Sequence, residues 1–132
     1  MMQEPTERFA ATLGHIGELA RLPQAADGAP ARLLSALRLD VEAYFASEEG
    51  DSNFGVLLRE RPGLAHALDE LRSEHSVLLE QLDRVCAVAA DGQRDKELPK
   101  LTAELAEALR AHEHKEGELL QEAVLRDDGS AD

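Results

Sequence analysis

Apolar residues recur at three- and four-residue spacing through four long stretches of this chain, and nowhere do they alternate with period two. That rhythm builds amphipathic helices and supplies no strand for a sheet. Proline and glycine set the stretches apart. The first runs through FAATLGHIGELARL and stops at Pro23, with Thr6 expected as its cap. After the loop PQAADGAP, ARLLSALRLDVEAYFASEE leads to Gly50. GDSNFGVLLRER reads as a break and a short helical extension before Pro62. The third stretch, LAHALDELRSEHSVLLEQLDRVCAVAA, starts at Pro62-Gly63 and ends at Asp91-Gly92; the fourth begins around Asp95 and carries LTAELAEALRAHEHKEGELLQEAVL. Short connections between long helices make antiparallel neighbours, so the expected fold is all-α, an up-down-up-down four-helix bundle. Residues 1–126 are expected to form one domain and 127–132, DDGSAD, a frayed polar tail.

Composition narrows what such a bundle can do. With 27 acidic against 14 basic residues the formal charge is −13. That surface repels phosphate, which argues against nucleic acid and anionic membranes as partners. The one cysteine, Cys86, cannot form an internal disulfide and fits a reducing compartment. The start, MMQEPTERFAATL, has no apolar run of signal-peptide length, and no stretch approaches a bilayer span. A cytoplasmic location is expected.

Polar residues on the apolar faces carry the functional signal. At about 100° per residue, His112 and Glu116 share the stripe of Leu101, Leu105 and Leu109, while His114 points to solvent. The same phase puts Tyr44 and Glu48 on the stripe of Leu33, Leu37 and Val41. His75 shares a face with Leu68, Leu71, Leu78, Leu79 and Leu82, and His66 points away; His15 follows a weaker stripe with Ala11, Ile16, Leu19 and Leu22. The halves echo one another. A shift of 68 brings Tyr44 onto His112 and Glu48 onto Glu116, and a shift of 60 brings His15 onto His75. Buried imidazoles and carboxylates are costly unless paired or ligated. From facing helices they suit first-row transition metals, and bridging carboxylates suit a pair of them. Singly, each is most simply a satisfied boundary residue; jointly, the set points to a metal.

These residues resemble the hemerythrin-like proteins, the HHE cation-binding family, over essentially the whole chain. The likeness rests on His15, on AYFASEE around Glu48, on SEHSVLL around His75 and on HEHKEGELL. It implies a non-haem diiron centre, two iron ions joined by an oxo or hydroxo bridge. Glu48 and Glu116 would bridge, with His75 and His112 on one iron and His15 on the other. The departure is Tyr44, which stands where the family has histidine. Either its phenolate binds iron, the favoured reading, or it only packs. A second departure is that Leu71 and Leu79 flank His75 where the oxygen carriers have an additional histidine. With three histidines and Tyr44, two coordination positions stay open where a carrier leaves one.

The expected function is therefore a diiron protein that binds or reacts with dioxygen, peroxide or nitric oxide, in a redox or sensing role rather than reversible carriage. Whether it is an enzyme is left open. The alternatives are iron storage or handling, and a helical interaction domain with a decayed site. Glu49 and Glu74 are expected in solvent or behind the ligand histidines, Phe45 and Phe54 in the core, and Gly14 and Gly17 at a close helix contact or merely in a poor helix. A sensing role would pass its signal to a separate protein, whose identity the sequence leaves open.

Overall fold

The computed structural model describes residues 4–22, 28–91 and 94–129. Helix α1 spans Glu4–Ala20, α2 Ala29–Glu49, the short α3 Phe54–Glu60, α4 Ala65–Ala90 and α5 Arg94–Gly129, with a 3-10 turn at Pro62–Leu64. The four long helices pack as a closed ring in the order α1, α2, α4, α5. Cross-links fix the directions. Arg38 and Glu49 on α2 reach Asp83 and His75 on α4, while Thr6 lies opposite Glu113 and Gly17 opposite Thr102 across α1 and α5. Neighbours are thus antiparallel, as expected of a bundle with short connections.

Local chemistry sets the breaks. Gly28 adopts φ 88°, which a side chain would strain, and Pro30 then occupies the first turn of α2. Arg61 is held extended before Pro62, ending α3. The core is mostly leucine with three phenylalanines: Leu13, Ile16, Leu34, Leu68, Leu71, Leu82, Leu98 and Leu109 are fully buried. Each such side chain contributes about 1.5–3 kcal/mol. A second cluster of Phe54, Leu68 and Leu71 closes one end of the bundle under α3.

Two sequence expectations are corrected. The buried stripe of α2 is Leu34, Leu37, Val41, Phe45 and Glu48, and Leu33 is exposed. The leucine pair 33–34 lets the stripe be drawn either way, and Phe45 decides it, since it is buried and leaves Tyr44 at the edge. Thr6 is no cap. Helix α1 already begins at Glu4, and Thr6 is buried inside it, donating to Glu113. Helix α5 runs to Gly129, and residues 130–132 lie outside those described. Among the described residues, no helix is long and apolar enough to cross a membrane.

Candidate metal centre

Three helices bring one residue each to the same buried point. Glu48 from α2, His75 from α4 and His112 from α5 each offer a ligand atom, and these atoms lie within 4.8 Å of one another. Glu116 follows His112 by one turn, its Oε1 4.0 Å from His112 Nε2. All four residues are buried, none more than 5% exposed.

The outward nitrogens of both imidazoles are taken. His75 Nδ1 lies 2.6 Å from Glu49 Oε2, and His112 Nδ1 lies 2.7 Å from Glu74 Oε1. A carboxylate accepts and does not donate, so Nδ1 carries the hydrogen in each ring. Glu74 is itself held by Lys115, and that ammonium and His112 together keep its carboxyl below the usual range against the pull of burial. In the neutral tautomer this leaves each Nε2 bare and aimed inward. There His75 Nε2 meets Glu48 Oε1 at 3.2 Å, off the line a hydrogen bond needs. His75 Nε2, His112 Nε2, Glu48 Oε1 and Glu116 Oε1 are all buried without a hydrogen-bond partner. Lone pair against lone pair in a dry interior is repulsive unless a cation lies between them. The residues present therefore fit a metal ion.

Packing holds the rings in place. Phe45 stacks flat on His75, with centroids 3.9 Å apart and planes 7° from parallel, and Phe54 covers the same ring at 6.1 Å. Burial keeps the His112 imidazole more acidic than an exposed histidine, hence neutral and ready to ligate. Between the carboxyls, burial and the neighbouring Glu48 push Glu116 up to about 9. Glu48 goes the other way: burial would raise it, but His75, Glu116 and Tyr44 around it outweigh that and hold it low. Without metal the pair shares one proton, which sits on Glu116.

The side facing α1 is different. Tyr44 is half-buried, its ring edge-on to Phe9 at 5.8 Å, and its hydroxyl donates to Glu48. Burial and the surrounding carboxylates Glu48, Glu113 and Glu116 raise its pKa, keeping the phenol protonated. Glu113 is buried and accepts from Thr6 Oγ1 at 2.9 Å; burial and Glu48 raise its pKa as well.

Of the six residues expected at the site, Glu48, His75, His112 and Glu116 come together and Tyr44 borders them. His15 is exposed on α1. The level of the cluster on α1 is marked by Thr6 and Phe9, and His15 lies about 13 Å further along the axis than Thr6 at 1.5 Å per residue. The expectation that Glu49 and Glu74 stand in solvent or behind the histidines resolves to the second. Glu113 and Thr6 were not found from sequence. Glu113 lies about 100° from His112 on the helix, at the margin of the apolar stripe, and Thr6 looked like a cap. Cys86 is half-buried against the core, and burial raises its thiol pKa.

The family model described as the hemerythrin HHE cation-binding domain matches residues 9–124. No curated protein and no solved structure gives a significant match to the chain.

Proposed function

Because the chain belongs to the hemerythrin HHE cation-binding domain family, we propose that it binds iron at Glu48, His75, His112 and Glu116 and reacts with or senses an oxygen species: dioxygen, peroxide or nitric oxide. One observation carries this reading, the four buried donor atoms that face one another with no hydrogen-bond partner. Two imidazoles and a carboxylate with open positions form the donor set of non-haem ferrous sites. Bound there, iron supplies one-electron redox chemistry and vacant positions for a small ligand.

The chain's own residues prepare that site. Glu49 and Glu74 orient the imidazoles, Phe45 and Phe54 exclude water from the His75 side, and Glu116 holds a proton that binding must displace. A groove of about 550 Å³ between α1 and α2, walled by Phe9, Leu37 and Tyr44 among others, passes one side chain from Glu48. Its volume is ample for a diatomic gas or peroxide. Redox or sensing use is favoured over reversible carriage, because α4 offers a single inward histidine with Leu71 and Leu79 on the adjoining turns. The net charge of −13 argues against nucleic acid as a partner, and the lone Cys86 suits a reducing, cytoplasmic location.

Metal analysis with an absorption spectrum, on protein expressed in iron-supplemented medium, tests the proposal. Iron with a charge-transfer spectrum that changes on adding peroxide or nitric oxide supports it. Iron that is held but inert to both leaves storage or handling instead. Zinc, or no metal in a fully folded chain, overturns it in favour of an interaction domain.

A further inference from the structure

The family resemblance implies two ions, and the second would have to draw its ligands from the side of the cluster that faces α1. That side is built differently from the first. On the α4 and α5 side, His75 Nε2, His112 Nε2, Glu48 Oε1 and Glu116 Oε1 are buried without partners. On the α1 side the polar groups satisfy each other: Tyr44 donates to Glu48, and Thr6 donates to Glu113 at 2.9 Å. No imidazole stands there. At the level of the cluster α1 presents Thr6 and Phe9, and Phe9 packs edge-on against Tyr44. His15, which would have served, is exposed well along the same helix. Among the described residues, the one group of three or more His, Cys, Asp or Glu with mutually close ligand atoms is Glu48, His75 and His112.

We propose that this chain binds a single metal ion, held by His75, His112, Glu48 and Glu116, and that the Tyr44–Glu48 and Thr6–Glu113 hydrogen bonds occupy the place of a second one. The inference rests on the functional reading above and sets a mononuclear site in place of the two-iron centre that the family resemblance implies. Tyr44 is then a positioning residue that holds one ligand carboxylate through its hydroxyl. The physical reason is economy of desolvation. A second divalent ion would have to break two hydrogen bonds that are already made, and it would gain only oxygen donors, two of them shared with the first ion.

The test is a count. The metal-free protein is titrated anaerobically with ferrous ion, and bound iron is measured per chain after gel filtration. The same titration is run with cobalt(II), whose electron paramagnetic resonance separates an isolated ion from a coupled pair. One equivalent and an isolated-ion spectrum are expected. Tyr44→Phe should keep one equivalent and weaken it about tenfold, as loss of a hydrogen bond to a ligand does. Glu113→Gln keeps the Thr6 contact and should also bind one. Two equivalents, or a spin-coupled pair, in the wild-type chain would overturn the inference while leaving the functional reading intact. No bound metal at all would overturn both.

Discussion

Phe45 lies flat against His75, ring on ring at 3.9 Å, and so ties the apolar core of α2 to a ligand on α4. The same phenyl meets His112 edge-on at 5.9 Å. One core residue therefore sets the attitude of both imidazoles. Phe45→Ala should cost about 3–5 kcal/mol of stability, the usual range for a buried phenylalanine. Phe45→Leu should recover most of that in denaturant unfolding yet still weaken metal binding, because a leucine fills the volume without a flat face for the ring. Equal metal affinity in Phe45→Leu and wild type would show that the stacking only fills space.

Glu49 and Glu74 fix which nitrogen of each histidine faces inward. Replacing either with glutamine lets the amide present a donor where an acceptor is needed, and the ring can then turn its bare nitrogen outward. Metal affinity should fall about 10- to 100-fold per substitution. Both carboxylates are partly exposed, so the folded chain should lose little. Calorimetric metal titration beside thermal unfolding separates the two effects.

Much of this site could be read from phase along the helices. The choice of His112 over His114 and of His75 over His66 needs only the angle per residue, and the structure buries the first of each pair and exposes the second. The pairing of Tyr44–Glu48 with His112–Glu116 by a shift of 68 likewise survives as neighbouring positions in space. The shift of 60 that matched His15 to His75 does not translate into a shared level. Which turn of α1 stands beside the cluster depends on how α1 seats against α5, where Gly17 meets Thr102 and Thr6 meets Glu113. No pattern within a single helix encodes that register. Leu33 fails for a smaller reason, since two adjacent leucines leave the stripe ambiguous until Phe45 fixes it.

Gly14 and Gly17 look alike in sequence but separate in the bundle. A Cβ on Gly17 would sit 2.5 Å from Thr102 Oγ1, with the backbone of Pro99 behind it at 3.4 Å. Thr102 is buried and its hydroxyl is engaged by the Pro99 carbonyl, so it cannot simply swing aside. Gly17→Ala should destabilise by about 1–3 kcal/mol through overpacking, and adding Thr102→Ala should relieve part of that. Around Gly14 nothing lies within 4 Å. Gly14→Ala should therefore stabilise α1 by about 0.5–1 kcal/mol. Chemical denaturation of the three variants reads both signs.

The raised carboxyl of Glu116 makes metal-free stability depend on pH. An unfolded glutamate loses its proton near the ordinary value of about 4.3, whereas the folded one holds it to about 9. Between those values the folded state binds the extra proton, so stability falls as pH rises, with a slope of at most about 1.4 kcal/mol per pH unit. Comparison with Glu116→Gln between pH 7 and 9 isolates the effect. There the histidines and carboxyls have finished titrating in the unfolded chain, and the raised Glu113 carboxyl and Cys86 thiol act in the same direction as Glu116. With Cys86→Ser as background, the melting temperature of the chelated protein should drop from pH 7 to pH 9, and Glu116→Gln should flatten that drop. Metal must displace the same proton, so binding should release about one proton per ion near neutral pH and tighten as pH rises toward 9. The loaded protein should lose the pH slope as well, because its Glu116 is ionised throughout. A metal-free chain whose melting temperature is level from pH 7 to 9 would show that the carboxyl pair holds no such proton.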